Sequence, residues 1–129
     1  MTSFVVPGRP TPKQRPRVQL YSRRAVVYTP RETREYEESV AWCARKAFRE
    51  PFKGPVVARL RFYVAPGPRR GDCDNLAKSV LDGCRGIAFE DDGQVVRLEA
   101  SVHPCDRDGE RAEVEVEPLS EEEHDDGDR

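Results

Sequence analysis

The sequence predicts a single small α/β (α+β) domain in which two main helices pack on one mixed β-sheet. Three observations favour this class. The chain has 129 residues, a usual length for one domain. Apolar residues alternate with charged residues in three short segments, which is typical of half-buried strands. Two other segments repeat apolar residues every three to four positions, which predicts amphipathic helices between the strands.

The first half of the chain is predicted to form a strand, a basic arm, a hairpin and a helix. The segment SFVVP is a short strand that ends at a proline. Residues 8–17, GRPTPKQRPR, combine prolines and cations without periodicity, which predicts an extended arm. A hairpin is predicted around residues 22–24. TPRE then marks a helix start with Thr29 as its cap and Glu32 completing a capping box, and the apolar repeat extends to about Arg49.

The second half is predicted to contain a strand, a helix and two further strands. Apolar positions alternate over residues 58–64, 96–102 and 112–116, and a short amphipathic helix covers residues 75–84. If the strands within residues 56–102 are parallel, their crossover should be right-handed. We expect the domain to span residues 1–116. Residues 117–129 contain almost no apolar side chains and are predicted to form a disordered acidic tail.

The net charge of −2 conceals a strong separation of charge along the chain. Residues 1–70 hold 16 Lys/Arg against 5 Asp/Glu, whereas residues 71–116 hold 5 against 12. Residues 117–129 add 1 against 7. A basic half followed by a compact acidic cluster indicates a polyanion-binding surface next to a cation site. The alternative is a well-solvated surface on which the charges are segregated by chance.

Other classes of protein fit the composition poorly. No apolar run is long enough to cross a membrane, and the first residues lack the pattern of a signal peptide, so we expect a cytoplasmic protein without a membrane partner. The four cysteines form neither a C-x-x-C pair nor a zinc-finger spacing, which favours reduced thiols. A hydrophobic share of 36% supports only a modest core, so a partner subunit would bury useful surface.

The candidate chemistry lies in GDCDNLAKSVLDG and the nearby EDDGQVV. Asp72 and Asp74 are two residues apart just before a helix, so in an extended segment both lie on one side. Lys78 follows Asp74 by one helical turn, and Asp91 and Asp92 stand before the next strand. Hard cations such as Mg²⁺ prefer carboxylate oxygens, and a lysine nearby could hold a phosphate. The alternative is a helix cap and an Asp-Gly turn.

These residues resemble the signature of the RusA-like Holliday-junction resolvases, small Mg²⁺-dependent endonucleases of bacteria and phages. The pattern is Asp-x-Asp-Asn-Leu-x-Lys, then Leu-Asp, then Asp-Asp-x-Gln-Val, and it covers about 25 residues here. The Pro/Lys/Arg-rich opening and the YTP and REYE segments extend the resemblance over most of residues 4–116. One departure is Gly83-Cys84, where Ala-Leu is expected. The acidic tail is an addition on which the resemblance is silent.

The resemblance implies roles for individual residues. Asp72, Asp74 and Asp92 correspond to the catalytic, metal-binding carboxylates, Asp91 is an adjacent metal-binding acid, and Lys78 corresponds to the lysine of the catalytic site. The remaining motif positions are expected to support the site: Asn75, Asp82 and Gln94. The resemblance also implies a homodimer.

The sequence therefore predicts a structure-selective endodeoxyribonuclease that resolves four-way junctions by paired cuts in DNA recombination and repair, with Mg²⁺ as cofactor and Mn²⁺ as a substitute. A phage or prophage origin fits the resemblance. Branched DNA is the expected partner, and the basic residues should contact its phosphates without reading bases. One alternative is a branched-DNA-binding dimer without nuclease activity, and another is a small-molecule phosphohydrolase. The expected DNA contacts are Arg9, Lys13, Arg15, Arg17, Arg69 and Arg70.

Overall fold

The computed structural model describes residues 1–68 and 70–119. Arg69, one of the predicted DNA contacts, and residues 120–129 of the predicted tail lie outside the described residues. Two 3-10 turns, Asp92–Gln94 and Arg107–Gly109, lie before and after the strand Val95–Pro104. In chain order the elements are β1 (Thr2–Pro7), β2 (Arg17–Tyr21), β3 (Arg24–Tyr28), α1 (Arg31–Ala47), β4 (Val56–Val64), α2 (Cys73–Cys84), β5 (Val95–Pro104) and β6 (Arg111–Pro118).

The predicted fold class is confirmed. Four strands form a mixed sheet in the order β1-β6-β4-β5, and β2 pairs with β3 as a separate two-stranded hairpin. Strand β4 runs parallel to β5, with Leu60 opposite Ala100, and antiparallel to β6, with Leu60 opposite Val114. The parallel pair requires a crossover connection, and α2 provides it. In the described part of the chain, no helix is long and apolar enough to cross a membrane.

The core lies between the helices and one face of the sheet. Alternate residues of β4 are buried there, as their spacing predicts, and Leu60 and Phe62 are at most 1% exposed. Val114 of β6 and Val40 of α1 pack into the same cluster. The opposite face of the sheet carries the charged residues that alternate with them.

The two helices pack closely because α2 contains a glycine at their contact. A Cβ atom on Gly83 would lie 2.7 Å from Val40 Cβ and 2.9 Å from the carbonyl oxygen of Glu37. Only a residue without a side chain fits at this separation. The family pattern predicts alanine at position 83, and the glycine found there allows α1 to lie this close to α2.

Three local expectations differ from the structure. Helix α1 begins at Arg31 without a side-chain cap, and the buried Thr33 hydroxyl instead accepts a hydrogen bond from Gln14 N at 3.3 Å. The capping box predicted at Thr29 is therefore absent, because the N-cap residue is Pro30, which has no side chain that can accept a hydrogen bond. Strand β6 continues to Pro118, two residues beyond the predicted end of the domain, because it pairs with β4 as far as Val56. Strand β5 is more exposed than its alternation predicts because it forms an edge of the sheet.

The parallel connection fixes the positions of the candidate residues. Helix α2 begins after the C-terminal end of β4 and runs back toward the N-terminal ends of β4 and β5. Residues at the start of α2 and residues before β5 are consequently placed at opposite ends of the β4–α2–β5 unit.

Candidate metal site and nucleic-acid surface

Asp72 and Asp74 stand at the start of α2 with exposed carboxylates. Gly71 precedes them at a φ of +88°. A Cβ atom added to Gly71 would lie 3.0 Å from the ring of Pro12, so the basic arm packs against this turn. Asp72 occupies the N-cap position of α2, but its side chain makes no capping hydrogen bond. Within residues 1–68 and 70–119, neither carboxylate has a hydrogen-bond or ion-pair partner. The cap alternative considered for Asp72 therefore does not account for it.

Lys78 lies one turn further along α2 and is exposed. Its spacing from Asp74 and Asp82 predicts stacking along one helix face, yet its ammonium group forms no ion pair with any described residue. Asp82 is instead occupied by Lys13 Nζ at 3.1 Å and by Arg85 at 3.4 Å. The charge of Lys78 is thus not neutralised by neighbouring acids of the described chain.

The EDDGQ segment forms a tightly held turn before β5. The Gln94 side chain accepts hydrogen bonds from Glu90 N at 2.7 Å and Asp91 N at 2.9 Å. Its amide nitrogen donates to the carbonyl oxygens of Phe52 at 2.8 Å and Gly54 at 2.9 Å. Asp91 accepts from Gly93 N at 3.3 Å and so caps the 3-10 turn. Gln94 and Asp91 therefore act as structural supports of this turn.

Asp92 has a different environment from Asp91. Its side chain is 51% exposed, and its nearest cation is Arg85, whose Nη1 lies 3.9 Å away. The Asp92 side chain forms no hydrogen bond that supports the turn within the described residues. Arg85 was not predicted as a site residue. Its position three residues after Asp82, at the end of the same helix, is the sequence feature that could have indicated a contact with the acidic residues.

The structure places Asp72 and Asp74 at the start of α2 and Asp91 and Asp92 in the turn before β5. Helix α2 has 12 residues, so its ends are about 18 Å apart at the usual helical rise. Asp72 caps one end, and Arg85, which contacts Asp92, follows the other. Accordingly, the described residues contain no group of three acidic, histidine or cysteine side chains placed to hold one metal ion.

The residues predicted to contact DNA fall into two groups: those that pair with an acidic side chain of the described chain and those that do not. Arg9 forms an ion pair at 2.8 Å with Glu110, a nearly buried acid that also accepts from Ala65 N at 2.9 Å. By contrast, Arg15, Arg17 and Arg70 are exposed and have no acidic partner within the described chain. Among the described residues, these three arginines and Lys78 are the predicted cations that have no acidic partner and remain available to an external anion.

Lys13 anchors the basic arm across both helices. Its ammonium group lies 2.9 Å from Glu37 of α1 and 3.1 Å from Asp82 of α2, and its backbone N donates to the carbonyl oxygen of Asn75 at 2.8 Å. Burial opposes the charged form of Lys13, but the hydrogen bonds and charges of the two carboxylates outweigh it and raise its pKa. A phosphate contact by Lys13 stays a prediction, and Glu37 is a partner that the sequence did not indicate.

The open face of the sheet neutralises part of the basic half. Arg59 pairs with Glu117 at 2.7 Å, and Arg61 pairs with Glu115 at 2.8 Å. The hydrogen bond from Arg59 lowers the pKa of Glu117. These two cations therefore belong to an ion-pair network of the sheet and are not available to an external anion.

Comparison with known proteins gives one family. A family model described as endodeoxyribonuclease RusA matches residues 7–117, most of the chain. The matched region contains the arm, both helices, the two acidic segments and nearly all of β6. None of the curated proteins matches the chain.

Proposed function

The chain belongs to the RusA family of endodeoxyribonucleases, and on that premise we propose that it resolves four-way DNA junctions by paired, symmetric hydrolysis of phosphodiester bonds. The observation that carries this proposal is the pair of exposed carboxylates at the start of α2. Asp72 and Asp74 have no structural partner in the described chain, although they directly precede a helix that could have used either as a cap.

The proposed cofactor is Mg²⁺, for which Mn²⁺ should substitute. The donors fit a hard cation, because Asp72 and Asp74 offer carboxylate oxygens and the turn before β5 offers Asp92, with Asp91 adjacent. A bound ion of this kind neutralises charge on a phosphodiester and lowers the pKa of water. Asp72 and Asp74 would hold the ion at the start of α2, where Pro12 packs against the backbone of Gly71.

The roles proposed for the chain's other residues follow from their charges. Lys78 would bind the scissile phosphate as a point charge, because its ammonium group has no acidic partner in the described chain. Arg15, Arg17 and Arg70 would contact neighbouring phosphates and set the position of the DNA backbone. Such contacts recognise the path of the backbone and carry no base sequence. The proposed setting is DNA recombination and repair in the cytoplasm.

A homodimer suits this substrate. A four-way junction presents two equivalent strands to cut, and a twofold symmetric dimer presents two equivalent sites. Each subunit would supply its own arm, so the cations that track phosphate would be arranged on both sides of the junction. Subunit association is also consistent with the exposed apolar residues of the β2–β3 hairpin, of which Leu20 is 77% exposed.

One cleavage experiment tests the function. The purified protein is incubated with a labelled four-way junction, a duplex of the same sequence and a nucleotide phosphate ester, each with Mg²⁺ or with EDTA. We expect symmetric cuts in the junction with Mg²⁺ and intact DNA with EDTA. Tight junction binding without cleavage would support the non-cleaving DNA-binding alternative. Hydrolysis of the nucleotide ester alone would support a small-molecule phosphohydrolase.

A further inference from the structure

We propose that the groove between α1 and the end of α2 binds the phosphate backbone of a DNA strand through Arg34, Arg45 and Arg85. This proposal rests on the proposed function and adds a second DNA contact surface to the cations of the arm. Four observations support it: the length of the groove, the unpaired arginines of α1, the fixed position of Arg85 and the small side chains of the floor.

The groove is long and open to solvent, with a volume of about 500 Å³. Arg34 and Arg45 both line it from α1, and they are eleven residues apart, or about 16 Å along the helix at the usual rise. One strand of DNA presents about five phosphates over that length. The spacing of the two arginines therefore suits a polyanionic strand better than a small phosphate ester.

The two arginines of α1 carry charge that the described chain does not neutralise. Arg34 and Arg45 are exposed, and neither side chain has an acidic partner within residues 1–68 and 70–119. Glu38 lies one turn after Arg34, a spacing that permits an ion pair, yet the described chain forms none between them. Outside the groove on the same helix, Arg31 does pair with Glu35 at 2.7 Å. Unneutralised positive charges along one groove repel each other and favour an anionic ligand.

The other two acids of the groove are partly neutralised from the side of the arm. Glu37 and Asp82 share the ammonium group of Lys13, at 2.9 Å and 3.1 Å respectively. Their side chains are only 21% and 11% exposed. These carboxylates consequently repel an approaching phosphate less than free, exposed carboxylates would.

Arg85 lines the groove from the end of α2 and is held in place by Asp82. Its Nη2 lies 3.4 Å from Asp82, which Lys13 fixes from the other side. The Arg85 side chain is 50% exposed, and a guanidinium group has five N–H donors, so donors stay available for a phosphate. Its Nη1 also lies 3.9 Å from Asp92. A strand bound in the groove would therefore pass beside the turn before β5.

The floor of the groove allows a DNA backbone to approach closely. Ala41, Gly83, Gly86 and Ile87 form the uncharged part of its lining. Gly86 has a φ of +83°, and a Cβ atom added there would meet nothing within 4 Å. These side chains offer no donor or acceptor to the edges of bases. The groove thus fits contact with the backbone rather than reading of the sequence.

Salt-dependent binding tests the groove without requiring cleavage. Arg34→Met and Arg45→Met are compared, singly and together, with the wild type for affinity to a four-way junction in EDTA. Each change should reduce the slope of log affinity against log salt by about 0.9, and both together by about 1.8. The matched control is Arg31→Met, which removes a cation from the same helix outside the groove and should keep the wild-type slope. Unchanged slopes in the two groove variants, or an equal fall in Arg31→Met, would overturn the proposal.

Chemical modification of arginine locates the contact in the wild type. Phenylglyoxal modifies accessible guanidinium groups, and mass spectrometry of the peptides gives the rate at each position with and without the junction. The bound junction should slow the modification of Arg34, Arg45 and Arg85 and leave that of Arg31 unchanged. Equal rates with and without DNA at the three groove positions would contradict the proposal.

The proposed function and the groove can fail separately. A wild type that binds the junction but does not cut it with Mg²⁺ would refute the nuclease, and the salt slopes and the protection of arginine would still decide the groove. A wild type that binds no DNA would overturn both.

Discussion

Replacing Lys13 by methionine should destabilise the fold while leaving the salt dependence of DNA binding nearly unchanged. Methionine keeps an unbranched side chain but removes the ammonium group that lies 2.9 Å from Glu37 and 3.1 Å from Asp82. The three side chains are only 11% to 21% exposed, so solvent screens these pairs incompletely. A single hydrogen bond to a charged group contributes about 1.5–3 kcal/mol, and the two carboxylates lose their shared cation.

Because Asp82 retains Arg85, we expect a loss of about 2 kcal/mol in the free energy of unfolding, or a fall in Tm of roughly 8 °C. The assay is thermal and urea unfolding at one fixed subunit concentration, since association also affects Tm. The pKa of Lys13 is raised, so its stabilising contribution should be complete below its ordinary pKa of 10.5 and be lost as the pH rises above it. The difference in the free energy of unfolding between Lys13→Met and the wild type should therefore narrow as the pH rises above 10.5.

Arg15→Met is the matched control, because Arg15 lies on the same arm but is exposed and has no acidic partner in the described chain. It should unfold like the wild type and bind DNA with a reduced salt dependence. If Lys13→Met instead unfolds like the wild type and reduces the salt dependence as Arg15→Met does, Lys13 is a phosphate contact and the anchoring argument is wrong.

Three further predictions concern the DNA surface, the helix packing and the dimer. Changing Arg15 and Arg17 to alanine should weaken binding to every DNA sequence alike and reduce the slope of log affinity against log salt by about 0.9 for each lost contact; an unchanged slope would exclude them as contacts. Gly83→Ala should cost about 1–3 kcal/mol by forcing a Cβ atom against Val40, as urea unfolding can measure; a more stable variant would mean that α1 and α2 are less tightly packed. Leu20→Glu should convert a dimer into a folded monomer in light scattering at micromolar concentration, because Leu20 is 77% exposed on the β2–β3 hairpin and a charge is unfavourable at the centre of an interface; a dimer of wild-type stability would place the interface elsewhere.

The sequence predicted elements more reliably than it predicted the neighbours of those elements. Alternation over residues 58–64 located β4 and its buried face, because a strand between two others buries every second side chain. The same alternation over residues 96–102 located β5 but not its exposure, since the pattern does not indicate that a strand lies at an edge. The helix start at TPRE was placed within two residues, although the predicted cap at Thr29 was wrong because the helix begins one residue later, after Pro30.

For the candidate site, the sequence identified residue types but not their distances. Asp72 and Asp74 both lie at the start of α2 because one residue separates them in the sequence. Asp92 is near them in sequence yet separated by the length of α2, because a parallel crossover places the ends of its helix at opposite ends of the sheet. Nor did the basic composition of the arm distinguish Lys13, which pairs with two carboxylates, from Arg15, which has no such partner in the described chain.

The most direct test of the central claim measures cleavage rate and junction affinity side by side for Asp72→Asn, Asp74→Asn and Asp92→Asn in Mg²⁺. Each change keeps the side-chain volume and removes one negative charge. If these carboxylates hold the metal, each variant should lose at least about 100-fold in cleavage rate, since ion binding contributes several kcal/mol to the transition state. Junction affinity should be kept or increased, because the basic surface is intact and repulsion of phosphate is reduced. Asparagine caps a helix about as well as aspartate. Wild-type cleavage rates in Asp72→Asn and Asp74→Asn would therefore contradict the metal-site account.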